Sequence, residues 1–261
     1  MPRSIFNARL VINGLGISVK LVTAVEPRQV SFRLLHASDR VPVRQRMVHP
    51  VTGEEVAHES AQKGIALPHG MVVLRDEELV ELEPTASRDL EVLRFVATTQ
   101  LDHPWYVRPY YLSPHDPDDA QAYFALARAL AAESKQGIVR WTMRKKPYRG
   151  ALRAVGDHLA LITLRSAAEV VATDALPELS WPAPSIQELA MARQLVEMLE
   201  GELDLEQFHD RYAEQVIALA EAKAEGKTTP LPTAKPEPAP PPSLADALAA
   251  SITRLQEQDV A

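Results

Sequence analysis

The feature that most constrains the fold is an alternation of apolar and basic residues that begins near residue 135. Val139, Trp141 and Met143 occupy one parity, and Arg140 and Arg144 occupy the other. Successive side chains of a strand point to opposite faces of a sheet. The pattern therefore predicts a strand with one apolar face and one face that presents arginines.

Two further runs of the same kind follow this strand. "GALRAV" and "HLALITL" are separated by Gly156 and Asp157, which predict a tight turn. Pro147 and Gly150 are predicted to bracket the turn before "GALRAV", since proline cannot donate to a central ladder. Three strands joined by short turns form a β-meander, which is typical of an antiparallel sheet or barrel.

The first half of the chain contains further strand patterns. "GISVKLVTAV" alternates, "GMVVLRDEEL" predicts a short strand followed by an acidic turn, and "LEVLRFV" predicts another strand. "DPDDAQAYFALARALAAESK" predicts a helix, with acidic residues at its start and Lys135 at its end, as the helix dipole favours.

The pattern becomes helical after about residue 180. Ser185 and Glu188 form a capping box for one helix, with Gly201 as its stop. A second helix, ending at Gly226, has an apolar stripe of Phe208, Tyr212, Val216 and Leu219. Residues 228–243 hold seven prolines and predict a stiff linker. A short amphipathic helix then carries a stripe formed by Leu244, Leu248, Ile252 and Leu255.

The sequence excludes several kinds of chemistry. It has no cysteine, so disulfides and thiolate zinc sites are absent, and its eight histidines show no metal-ligand spacing. No nucleophile elbow or P-loop occurs, and no cofactor motif is complete. We therefore expect no catalytic residues, no metal and no cofactor. The N-terminus lacks a signal-peptide pattern and no apolar run could span a bilayer, so a cytoplasmic protein is expected.

Charge is distributed unevenly along the chain, which has a formal net charge of -7. Residues 1–164 hold 21 basic and 18 acidic residues, whereas residues 165–261 hold 7 and 17. Two basic stretches, 28–46 and 135–153, suggest contact with a polyanion. The alternative is a set of solvated arginines that pair with nearby carboxylates. The candidate phosphate-binding residues are Arg28, Arg33, Arg40, Arg44, Arg46, Lys135, Arg140, Arg144, Lys145, Lys146, Arg149 and Arg153.

The ordered set of motifs resembles bacterial Ku, the DNA-end-binding family of non-homologous end joining. The likeness includes "NGLGISVKLVTAVE", "RPYYLSP" and "GDHLALITLRSAAEVV", and is densest in "ELAMARQLVEMLEGELDLEQFHDRYAEQVIALAEAKAEGK". The resemblance implies an α+β protein with an antiparallel β-barrel core in residues 1–180 and an extended strand-rich arm near residues 26–75. C-terminal helices would occupy residues 181–227 and the Pro-rich tail residues 228–261.

The resemblance also implies a function. Two chains would form a ring-shaped homodimer that threads onto a DNA end without reading sequence and recruits a multidomain ATP-dependent DNA ligase. Such a protein would be associated with the nucleoid, and the tail stripe of Leu244, Leu248, Ile252 and Leu255 becomes a candidate ligase contact. Many relatives carry a C-x-x-C-G pair in the arm, but this chain reads "HPVTG", which makes a metal there doubtful.

Two other functions remain open from the residues alone. One is an enzyme whose site is assembled from scattered carboxylates and histidines. The other is a β-barrel scaffold that binds only protein. DNA binding with a steep salt dependence would separate the scaffold from a DNA-binding protein.

Overall fold

The computed structural model describes residues 4–177, 183–226 and 249. The chain divides into two units, and the larger one contains residues 33–175 with the N-terminal 28 residues. Residues 29–32 group with residues 176–261 in the second unit.

The described residues form nine strands and four α-helices. The strands are β1 (Ser4–Ile12), β2 (Leu15–Thr23), β3 (Lys63–Leu67), β4 (Gly70–Leu74), β5 (Asp89–Ala97), β6 (Tyr106–Pro114), β7 (Lys135–Met143), β8 (Lys146–Val155) and β9 (His158–Leu164). The helices are α1 (Asp76–Glu81), α2 (Ala120–Ala132), α3 (Ile186–Met198) and α4 (Arg211–Ala224).

Seven of these strands close into a barrel in the order β1-β2-β6-β9-β8-β7-β5. All neighbouring pairs are antiparallel except β1 and β5, which are parallel. The predicted antiparallel barrel and the meander β7-β8-β9 are confirmed. The predicted parity of β7 is also confirmed, since Val139 and Trp141 are buried in the barrel core while Arg140 is exposed.

The turn between β7 and β8 does not lie where the sequence pattern predicted it. It consists of Arg144 and Lys145, whose φ values of 50° and 64° place both residues in the left-handed region. The predicted turn at Pro147 and Gly150 was therefore wrong, because both residues belong to β8. Pro147 is tolerated there because β8 begins to pair with β9 only at Gly150, so its missing N–H interrupts no ladder on that side.

Gly150 has a packing role inside the barrel. A Cβ atom at this position would lie 2.8 Å from Cζ3 of Trp141 and 2.8 Å from the carbonyl oxygen of Ile162. Glycine therefore gives the Trp141 indole the space it needs against β8.

Helix α2 covers one end of the barrel. Its buried side chains, Tyr123, Ala127 and Leu130, join the barrel core. The Tyr123 hydroxyl donates to the Leu112 carbonyl at 2.6 Å and accepts from the Leu159 N–H at 2.8 Å, and burial raises the pKa of this hydroxyl. The helix was predicted, but it ends at Ala132, and Lys135 is the first residue of β7 rather than the helix terminus.

We refer to the region between β2 and β5, which contributes no strand to the barrel, as the arm. Its regular strands are β3 and β4, which pair only with each other, and isolated bridges join Leu35 to Pro42 and Val48 to Glu55. The acidic residues after β4 form α1 rather than the predicted turn, because Glu78 accepts hydrogen bonds from Arg75 and caps the helix start.

The second unit contains α3 and α4. The predicted capping box of α3 is confirmed, with Glu188 N–H donating to the Ser185 hydroxyl at 3.2 Å and Ser185 N–H donating to the Glu188 carboxylate at 2.7 Å. Helix α4 starts at Arg211, so Phe208 of the predicted stripe lies before the helix. The predicted Pro-rich linker and terminal stripe lie outside the described residues.

Candidate nucleic-acid interface

Strands β7 and β8 place two of the candidate arginines next to each other on the outer face of the barrel. Arg140 is directly opposite Arg149 in the strand register, and both side chains are exposed. Arg140 also lies opposite Glu91 of β5, and its Nε donates to Oε2 of Glu91 at 2.7 Å. This hydrogen bond raises the pKa of Arg140. Arg140 is therefore paired with a carboxylate. For this residue the structure agrees with the alternative interpretation, in which the arginines are solvated and form ion pairs with nearby carboxylates.

The β7–β8 turn brings three more candidates together at one end of the barrel. Arg144, Lys145 and Lys146 are consecutive and exposed. Lys145 is held by Glu83, with Nζ 2.9 Å from Oε2. Arg144 and Lys145 also line a cavity of about 260 Å³ together with Arg88, a basic residue that sequence reasoning missed. No local pattern marks Arg88, because it joins this group only through the pairing of distant strands.

The remaining two residues of this stretch do not join the cluster at the turn. Lys135 lies at the opposite end of β7. The Arg153 guanidinium lies 5.6 Å from the ring centroid of Tyr106, within the range of a cation–π contact.

An outer groove of about 590 Å³ runs beside these strands and has mixed charge. Its basic lining residues are Arg140, Arg149 and Arg165. Arg165 is used structurally, since its Nη1 donates to the carbonyl oxygens of Pro104 and Tyr106. The groove also contains three carboxylates, those of Asp89, Glu91 and Glu169. It is therefore less suited to a polyanion than the β7–β8 turn.

The arm contains the second basic stretch. Val43 N–H donates to the Leu34 carbonyl at 3.0 Å, and Arg33 and Arg44 are the residues that flank this hydrogen bond in the chain. Arg46 is paired with Glu55, with Nη1 2.6 Å from Oε2. The other two candidates of this stretch, Arg28 and Arg40, are also exposed. Arg33 and Arg44 are thus exposed in the arm, whereas Arg46 is paired with a carboxylate.

The structure therefore separates the candidates into paired and unpaired cations. Arg46, Arg140 and Lys145 form ion pairs. Within the described part of the chain, no ion pair involves the side chains of Arg144, Lys146 and Arg149, which are exposed and within six residues of one another. We refer to these three cations together as the β8 cation cluster: Lys146 and Arg149 lie on β8 at positions of opposite parity, Arg144 lies in the turn before it, and Arg149 also lines the groove of mixed charge.

The "HPVTG" segment forms a polar turn. The N–H groups of Val51 and Thr52 donate to Nδ1 of His49 at 3.4 and 3.2 Å. In residues 4–177 and 183–226, no group of three or more His, Asp or Glu side chains is placed to hold a metal ion. The same residues include no helix with the length and apolar character of a membrane span.

The comparisons with known proteins agree with the barrel. A family model described as the Ku70/Ku80 beta-barrel domain matches residues 11–191. The chain is 35% identical to "Non-homologous end joining protein Ku 3" of Saccharopolyspora erythraea, with 91% of each chain covered. It is 35% identical to "Non-homologous end joining protein Ku" of Anaeromyxobacter sp. (strain K), covering 97% of this chain and 86% of the relative. A Koribacter versatilis protein of the same name is 31% identical, with 99% and 88% covered.

Proposed function

The chain belongs to the Ku β-barrel family, and from this premise we propose that it binds ends of double-stranded DNA in non-homologous end joining. In this proposal the barrel and arm, residues 1–180, encircle the duplex as a homodimer. The helices of residues 181–227 and the tail of residues 228–261 recruit a multidomain ATP-dependent DNA ligase. The protein binds and positions ends, and the ligase performs the chemistry.

The observation that carries the proposal is the β8 cation cluster. Arg144, Lys146 and Arg149 are exposed and free of carboxylate partners among the described residues, although the chain as a whole is acidic. Arginine and lysine contacts to phosphate supply affinity without sequence information. A two-fold axis would double the cluster and match the pseudo-symmetry of duplex DNA.

The exposed apolar side chains of the arm support the proposal of a homodimer. Twelve large apolar side chains between residues 33 and 74 are at least 45% exposed in the single chain. Exposed apolar side chains indicate an interaction surface where they share one face, as Ile65, Leu67 and Val72 do on the β3–β4 hairpin. In β3 and β4 the apolar residues lie on both faces, since Ile65 is paired with Val72 while Met71 is paired with Ala66 on the other face. A two-stranded hairpin of this kind is marginal alone, so a second copy is the expected cover.

The first test measures how salt affects binding. The protein should bind two linear duplexes of unrelated sequence with the same affinity, and log K should fall steeply and linearly with log salt. Fluorescence anisotropy at several salt concentrations measures both quantities. A flat salt response would support the protein-only scaffold instead, and a strong preference for one sequence would contradict backbone binding.

A second prediction concerns ligase recruitment by the tail. The stripe of Leu244, Leu248, Ile252 and Leu255 suits docking in a groove of a partner, because an amphipathic helix binds through apolar side chains at this spacing. The double variant Leu248→Ala, Ile252→Ala should bind DNA ends normally and reduce stimulation of end joining by the cognate ligase. Joined product is measured on a gel with ligase and ATP. The matched control is Gln256→Ala, Gln258→Ala, which leaves the stripe intact.

Two outcomes would change this account. If the stripe variant stimulates the ligase as well as the control does, the docking element is in residues 185–227 instead. If the chain alone joins ends without any ligase, the protein is an enzyme and the proposed division of labour is wrong.

A further inference from the structure

The two ends of the barrel are built differently. Helix α2 covers the end at which β6 finishes and β9 begins, where Tyr123 bridges Leu112 and Leu159. At the other end, where β2 and β7 finish and β6 and β8 begin, the barrel opens into a cavity of about 380 Å³. Cavities of this size at the mouths of β-barrels are common ligand sites.

The cavity is formed largely by side chains that continue the inward parity of the core. Thr23 follows Leu21 on β2 with the same parity, and Arg108 is an exposed residue beside a register irregularity of β6, two residues before the buried Tyr110. Among the described residues, the lining consists of Ser4, Ile5, Thr23, Arg108, Tyr110, Met143, Arg144 and Tyr148. These eight residues include two guanidinium groups and no carboxylate. The cavity therefore suits an anionic ligand, because guanidinium groups donate paired hydrogen bonds to phosphate or carboxylate.

Aromatic rings provide the second property of the cavity. Tyr148 stacks on Trp141, with ring centroids 5.4 Å apart and an angle of 18° between the ring planes. Trp141 is buried and Tyr148 is half-buried; Tyr148 lines this cavity, and both rings also line the outer groove described above. The Arg108 guanidinium lies 5.6 Å from the ring centroid of Tyr110. A planar ligand can thus stack on Tyr148, and its negative charge can contact Arg108.

Two orphaned polar atoms belong to residues at this end. In the described parts of the chain, Thr23 Oγ1 and Trp141 Nε1 are the buried side-chain polar atoms without a hydrogen-bond partner. Thr23 is the last residue of β2 and lines the cavity, and Trp141 lies two residues before the end of β7. Buried polar groups are rarely left unpaired, because each one costs the free energy of its lost hydration. The orphaned hydroxyl of Thr23 therefore belongs to a residue of the cavity lining, whereas Trp141 lines the outer groove.

We propose that the open end of the barrel binds a nucleotide, with its base on Tyr148 and its phosphate on Arg108 and Arg144. Stacking on an aromatic ring accepts any base, and arginine supplies the phosphate contact. The nucleotide has two possible sources, a free mononucleotide or an unpaired nucleotide at the end of a DNA strand. Only the second source rests on the proposed function.

The test uses the full chain and three probes: 2′-deoxyadenosine 5′-monophosphate, inorganic phosphate, and matched duplexes with blunt or four-nucleotide overhanging ends. Calorimetry measures the mononucleotide and phosphate, and anisotropy measures the duplexes. Tyr148→Leu should weaken mononucleotide binding, or the preference for overhanging ends, by roughly 5- to 150-fold, the range for loss of one stacked base. Arg108→Gln removes the phosphate contact and should weaken the same binding by roughly 10- to 150-fold, the range for hydrogen bonds to a charged group. Tyr148→Phe keeps the ring and should restore binding, and Arg94→Gln, an exposed arginine on β5, should have no effect.

Each outcome decides the proposal. Mononucleotide binding that both variants weaken supports a free nucleotide, and overhang preference that both variants remove supports a strand end. The assignment is overturned if inorganic phosphate binds the protein as tightly as the mononucleotide does. It is also overturned if the Tyr148→Leu and Arg108→Gln variants bind the probes as the parent protein does. If the protein binds blunt duplexes but neither binds the mononucleotide nor prefers overhanging ends, this inference is overturned and the proposed function stays intact. Mononucleotide binding without any duplex binding supports the cavity and contradicts the proposed function.

Discussion

Replacing Arg144, Lys146 and Arg149 by glutamine is expected to remove most of the affinity for linear duplex DNA. The β8 cation cluster provides three cations per chain, and a homodimer presents six. Loss of six phosphate contacts should lower the slope of log K against log salt by about 5. If the electrostatic contribution vanishes near 1 M salt, affinity at about 0.15 M should fall by roughly 10⁴-fold.

A matched variant controls for loss of charge alone. Arg193→Gln, Arg211→Gln and Lys223→Gln remove three exposed cations from α3 and α4, and this triple variant should bind DNA as the parent protein does. Titrations of both variants against the same duplex at four salt concentrations provide the comparison. If the two variants lose the same amount of DNA affinity, net charge rather than the β8 cation cluster determines binding.

Replacing Ile65, Leu67 and Val72 by serine is expected to convert the proposed homodimer to a monomer. These side chains share one face of the β3–β4 hairpin and are 50%, 51% and 45% exposed in the single chain. Burying a half-exposed side chain of this size in the interface stabilises the dimer by about 1 kcal/mol, so the six side chains of two copies contribute about 6 kcal/mol. The dissociation constant should therefore rise by roughly 10⁴-fold.

Sedimentation velocity distinguishes one chain of 28.8 kDa from two. The control variant Leu199→Ser, Leu203→Ser, Leu205→Ser removes three apolar side chains of greater exposure from the second unit and should remain dimeric. A hairpin variant that stays dimeric at the same protein concentration would show that another surface joins the two chains.

The barrel could be predicted in part because its signal is local. The parity of Val139 and Trp141 identifies the buried face of β7 without knowledge of its neighbours. The turn that follows could not be found in the same way, because Arg144 and Lys145 adopt positive φ although neither is glycine. Proline and glycine are usually signs of a turn, but here both belong to β8. Pro147 lies before the point where β8 begins to pair with β9, and Gly150 makes room for the Trp141 side chain.

The candidate site was predicted less completely because ion pairing depends on distant residues. Arg140 contacts Glu91 and Lys145 contacts Glu83 through the closure of the barrel, and no spacing in the sequence indicates either pair. The cavity at the open end has the same origin. Arg108 and Tyr148 belong to strands that do not pair with each other, so only the strand order of the closed barrel brings them to one cavity.

The central claim is that two chains enclose the duplex and therefore need a free end for loading. The most direct measurement compares one plasmid as a covalently closed circle and after a single double-strand cut, with the protein retained on each counted after a wash at moderate salt. The account predicts stable retention on the cut plasmid and little on the closed circle. Equal retention on both forms would contradict it, because a protein that binds the side of a duplex needs no end.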